Sequence, residues 1–486
     1  MDFMPRYAYK LTETAHNRHP IFGFFFSQPA STKHPGKMMN HARVKALKGD
    51  GKTVSKKAIK SGRASANLTP RGSPFASLLT SPAHSAAPSR AASDESEDEF
   101  EYDDTMSIAS GSSLVDTNED GTNTFDAKQF MEELQDRKHN NSDARTQLLE
   151  LYIKVLRHRF APATHEWLDE SANELAELFL RGANRGMEAR ERLLYLQAYL
   201  LTLSSSEDVN VYEHAEGTLK QIIADDDDEE CKAFGIYALC FTVLYGGGGE
   251  TEALELLDYL YAIVESDGDN IDSYDNGFIV AATLRGWGFV ASHVDDFSYA
   301  ATMALDGFYE QLDSVDVGVQ TNAAACIALI FEAARNHEEE TGESWDLPVN
   351  PEKLTGRMSE LAKQSSKSVS KKDRRDLRDS LISAITSLEK GVGPGYSSAG
   401  YTPQKGERPT SKANEDGVVE FGYRHKLRLG NYVAVIDSWS LSSRIDMMRL
   451  LFGGHLQKHI FENPVVAECL SDADFSDQGP SVKPKK

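Results

Sequence analysis

Cysteine is scarce in this sequence: four in 486 residues, at Cys231, Cys240, Cys326 and Cys469, with no CxxC pair and no metal-ligand spacing. That excludes a disulfide framework and a zinc module, and it reads as buried thiols in a reducing compartment. Long apolar runs are missing as well. No stretch approaches the ~18 to 20 apolar residues of a membrane span, and the early cluster Ile21–Phe26 is shorter than a signal-peptide core. Secretion is not expected. The sequence has no GxSxG, no dinucleotide fingerprint and no acid pair with an evident pocket. No catalytic residue, metal ligand or cofactor is therefore assigned, and the chain reads as a non-enzyme.

Acid is scarce only at the start. From Met1 to Ala92 the acidic residues are Asp2, Glu13 and Asp50, yet from Asp94 the balance reverses, and the formal net charge of the chain is -23. Residues 1–37 are rich in Phe, Tyr, His and Pro, whereas from Met38 the chain turns to Lys, Ala, Gly and Ser, so translation is expected to start at Met38 or Met39. A peptide spanning Lys33 to Arg43 in the endogenous protein would refute that. The whole of 1–124 is low in large apolar residues and is expected to be a disordered tail. Within it Ser73 and Ser81 precede proline, while Ser93 and Ser96 precede carboxylates. All four are candidate phosphorylation sites.

Residues 125–390 carry helical periodicity. In Ala144–Phe160, Leu148, Leu149, Tyr152, Val155 and Leu156 recur at spacings of three and four, which makes one apolar stripe. Similar stripes recur about every 20 residues to Arg335, so helix pairs repeat roughly every 40, the HEAT and armadillo range. The expected fold is all-α: an armadillo/HEAT-like α-solenoid, with a compact helical bundle as the alternative. A Gly/Pro/Ser linker at 391–417, a small C-terminal module at 418–470 and a disordered tail at 471–486 complete the expected organisation.

Three conspicuous motifs have plain structural explanations. Tyr245–Glu250, "YGGGGE", lacks the strand and the Lys-Ser/Thr of a phosphate loop and is read as an inter-helix link. Asp267–Gly277 has the acid density of a calcium loop, but Asp272 and Phe278 stand where Gly and Glu are needed. His455 and His459 lie four apart, yet the zincin Glu is absent, so exposed or partner-facing histidines are expected. The basic strip is different. If Ser370 caps a helix to about Glu389, then Lys371, Arg374, Arg375 and Arg378 share one face, with Lys372 on its flank. Leu377, Leu381, Ile385 and Leu388 form an apolar stripe beside them. Such a face suits RNA phosphates, the alternative being pairing with the protein's own acidic helices.

At these residues the sequence resembles the interferon-related developmental regulator family. The resemblance rests on "KKDRR-x-x-R" at Lys371 to Arg378, and on a C-terminal module with Ser438-Trp439, Gly454-His455-Leu456 and Glu462-Asn463. "GKTVSKKA" at Gly51 to Ala58 resembles fungal members. The resemblance implies a non-catalytic armadillo-like array in control of gene expression, cytoplasmic and nuclear, acting either as a transcriptional co-regulator or as a ribosome-associated repressor of translation. It implies a role in the C-terminal module for Trp439, His455, His459 and Asn463. The expected partner is the ribosome or its RNA, and a scaffold gripping regulatory proteins is the competing class.

Overall fold

Short polar side chains set the helix starts. Asp126, Asp228, Asn276, Asp316, Ser370, Ser438 and Asn463 each precede a helix and accept a hydrogen bond from a backbone N–H of its first turn. The computed structural model describes residues 115–117, 123–158, 160, 162–186, 188–363, 370–397, 422–429 and 431–477. Residues 1–37, Ser73, Ser81, Ser93, Ser96 and most of the linker fall outside them.

The array consists of α1 (Ala127–Gln135), α2 (Ser142–His158), α3 (Pro162–Arg185), α4 (Ala189–Leu203), α5 (Tyr212–Asp225) and α6 (Glu229–Tyr245), followed by α7 (Glu250–Glu265), α8 (Gly277–Ala291), α9 (Ser298–Gln311), α10 (Val317–Thr341), α11 (Pro351–Lys363) and α12 (Lys371–Lys390). From α2 to α12 each even helix packs on the next even one, and each odd helix from α3 to α11 lies against the even helix after it. This is the all-α solenoid that the recurring stripes predict. A single continuous core runs from Phe130 to Leu470.

Polar contacts inside that core repeat from one helix pair to the next. Tyr152 on α2 donates to Thr202 on α4, and Tyr199 on α4 donates to Thr242 on α6, both at 2.7 Å. Each threonine in turn donates to the carbonyl four residues back. Burial pushes both phenols well above their ordinary range, which keeps them as donors.

The loops entering α6, α8 and α10 share one acidic edge. Arg192 holds Asp226 at 2.7 Å, Lys232 Nζ donates to Ile271 O at 2.5 Å, and a Cβ on Gly277 would lie 2.6 Å from Asp316 Cβ. Along this edge stand Asp225 to Glu230, Asp267, Asp269, Asp272, Asp275, Asp313 and Asp316. The cationic start of α12 is next in the series. Asp228 caps α6 with Glu229 and Glu230 in its first turn, so helix electrostatics account for that acidic run. Gly246–Gly249 link α6 to α7, as expected of a connector.

α10 corrects one expectation, because by length and composition it is apolar enough to cross a membrane. Its side chains from Val319 to Ile330 are instead largely buried against α8, α9 and α12.

Beyond α12 come β3 (Tyr396–Ser397), β4 (Gly422–Tyr423), β5 (Lys426–Leu429), β6 (Tyr432–Val435), α13 (Trp439–Phe452), a 3-10 helix (Gly453–Lys458), α14 (Pro464–Cys469) and β7 (Phe475–Asp477). β3 pairs with β4, and β5, β6 and β7 form an antiparallel sheet. Two segments assigned to tails thus contain structure. β7 pairs with β6 and places Phe475 5.4 Å from Phe461. β1 (Val115–Thr117) pairs with β2 (Asn123–Phe125), and β2 rests on α3. In both, a few aromatic or β-branched residues find a partner strand, a signal too short to register as periodicity.

Candidate nucleic-acid interface

α12 starts where the sequence places its cap: Ser370 Oγ accepts from Asp373 N at 3.1 Å. Leu381 and Ala384 are fully buried, and Leu377, Ile385 and Leu388 pack on the same core, docking the helix on α10 and α11. The cations lie beside that stripe, over the first two turns of the helix. Lys371, Lys372, Arg375 and Arg378 are exposed and Arg374 is half-buried. Arg375 faces Asp379 at 3.7 Å, a solvent-exposed pair of little energy. Among the described residues, Lys371, Lys372, Arg374 and Arg378 form no ion pair with the acidic helices. The chemistry offered is a row of ammonium and guanidinium donors on a rigid helix, suited to phosphate oxygens.

The Trp439 motif braces this helix. Trp439 Nε1 donates to Ser387 Oγ on α12 at 2.8 Å. Its backbone N–H donates to both carboxylate oxygens of Glu332, at 2.8 and 2.9 Å, and Ser440 N–H donates to Glu332 Oε1 at 3.1 Å. Burial pushes the Glu332 carboxyl up, while these backbone donors pull it down. Arg444 donates to Ser292 O and pairs with Asp472 at 2.8 Å. α13 therefore lies across the even helices, touching α2, α4, α8 and α10.

Histidines 455 and 459 differ from expectation. The 3-10 helix ends at Lys458, so the two do not share an α-helical face. His459 is fully buried, and its Nε2–H donates to Arg157 O at 3.0 Å. Burial pushes it down to about 4. His455 instead packs edge-on against His158, with ring centroids 4.9 Å apart. Among the described residues no group of His, Cys and acidic side chains could hold a metal. Asn463, also buried, caps α14 and donates to Ser204 O at 2.9 Å. Within the C-terminal module, Trp439, His459 and Asn463 thus work as fasteners to the array. Sequence reasoning missed Glu332, Ser387 and Ser292, whose partners lie 52 to 152 residues away and leave no local signal.

The model of the interferon-related developmental regulator family matches residues 90–389, which span the array and α12. A protein of Schizosaccharomyces pombe, described as uncharacterized, is 24% identical over 398 residues, covering 76% of this chain and 82% of the yeast one. The matched span is more than half of the 486 residues and contains the basic helix. The chain belongs to the interferon-related developmental regulator family.

Proposed function

We propose that this regulator of gene expression works on the ribosome, docking on ribosomal RNA through the cationic face of α12. Membership in a family of regulators carries the general role. The observation that carries the specific one is the exposed row Lys371, Lys372, Arg374, Arg375 and Arg378 on a helix whose apolar stripe is anchored in the array. An acidic body with one preformed cationic helix fits backbone docking on folded RNA better than general affinity for nucleic acid. Such a chain works in the cytoplasm and nucleus.

Co-sedimentation of the purified protein with ribosomes tests this. Binding is expected to weaken roughly 100- to 1,000-fold between 50 and 200 mM salt if about five phosphates are contacted. A variant with Lys371, Lys372, Arg374, Arg375 and Arg378 changed to Glu should not sediment. Salt-insensitive binding, or binding kept by the variant, rejects the ribosomal role in favour of a protein scaffold or transcriptional co-regulator. A scaffold gripping a partner helix along the even face is disfavoured beforehand, because α13 already lies there.

A further inference from the structure

A second basic strip, unremarked in the sequence, lies beside α12. It reads Arg424, His425, Lys426, Arg428, with no acid among residues 422–429. Its position is fixed through α12 itself. Gly395 N–H donates to Ser383 Oγ on α12 at 2.8 Å, and Arg424 N–H donates to Gly395 O at 3.1 Å. Gly395 has φ +71, and a Cβ there would stand 2.6 Å from the His425 ring, so only glycine lets the strand approach this closely. The strand entering β5 is thereby clamped to the middle of the basic helix.

Strand alternation then aims the charges outward. In β5, Lys426 and Arg428 are exposed while Leu427 and Leu429 are buried. Lys426 pairs across the sheet with Val435, and Arg428 with Val433. The cations of the hairpin thus stand beside aliphatic side chains, while the exposed Tyr432 at its turn packs against Phe461. His425 lies within electrostatic range of Asp379, Asp446 and Arg449. Asp379 is the residue that Arg375 faces one turn along α12. The strip therefore begins beside Asp379, at the flank of the helix face.

We propose that Arg424, Lys426 and Arg428 are phosphate-contacting residues that join α12 in one two-element surface for the backbone of a structured RNA. This rests on the RNA reading of α12. A helix and a strand presenting cations from adjoining elements can engage more than one stretch of backbone, whereas a single helix face follows one line. Contacts from these cations to phosphates read shape and charge, not base identity.

The test is fluorescence anisotropy of a labelled RNA hairpin with the full-length protein, titrated across a salt series. The proteins compared are wild type, the five-fold α12 Glu variant, and the variant Arg424→Gln/Lys426→Gln/Arg428→Gln. The three residues are exposed, and matching circular dichroism of the Gln variant and wild type establishes that the fold is kept before binding is compared. It is expected to bind about 10-fold or more weakly and to lower the slope of log K against log salt by about 2 to 3. Exchanging the cations, with Arg424→Lys/Lys426→Arg/Arg428→Lys, should preserve both. If wild type binds, α12 loss abolishes binding, and the Gln variant matches wild type in affinity and slope, the two-element surface is wrong while the α12 reading stands. No salt-dependent binding by wild type sinks both. Displacement of the RNA by polyglutamate at matched charge overturns RNA in favour of an acidic protein partner.

Discussion

At the scale of single residues, two buried histidines make the stability of this protein sensitive to pH. His293 Nδ1–H donates to Phe289 O at 2.8 Å, and its Nε2 accepts from Tyr245 at 2.9 Å. His459 donates to Arg157 O. Both are used neutral, and burial pushes both down to about 4, helped at His293 by the charge of Arg444. The unfolded chain, with His near 6.5, takes up these protons first. The stabilisation is therefore complete above pH 6.5 and is lost as pH falls toward 4, at most about 2 kcal/mol per histidine by pH 5. Glu332, whose carboxyl is pushed up, works in the opposite sense. Urea unfolding should show a lower midpoint at pH 5 than at pH 7; equal midpoints would refute the assignment. Asn463 and His459 are visible in the sequence as part of a motif. Their partners, Ser204 and Arg157, stand 259 and 302 residues away, a separation no local pattern can bridge.

At the scale of elements, α12 was legible because three local signals agree: a serine cap, an apolar stripe and a cationic row over twenty residues. β5 was not, since four residues of alternation hardly differ from chance and its placement depends on Gly395 and Ser383 in other segments. The 3-10 turn under His455 was missed for the same reason: an i,i+4 pair presumes the α-helix that Gly453 and Gly454 interrupt. The cap carries its own prediction. Ser370→Ala removes the acceptor for Asp373 N–H and should cost about 1 kcal/mol. Hydrogen exchange should then quicken in residues 371–378 and remain unchanged in α4. Uniform exchange across α12 in both proteins would show that the cap contributes nothing.

At the scale of the whole molecule, the solenoid is not left as a linear stack. In such stacks each pair leans on its neighbours and the ends fray. Here α13, the 3-10 helix and α14 return from the last pair to the first, tying α8, α10 and α12 to α2 and α4. Early and late repeats therefore share one fastening, and the described array should unfold in one transition. Deleting residues 438–486 is expected to split that transition and to expose apolar surface to the dye ANS. A single transition at the wild-type midpoint would show that the return segment stabilises nothing. The acidic edge has a consequence of its own, because negative loops precede α6, α8 and α10, and the cationic start of α12 comes next. Charge so divided gives the described array an electric dipole. A polyanion's field would exert a torque on such an array before contact, turning the basic end forward and the acidic loops away.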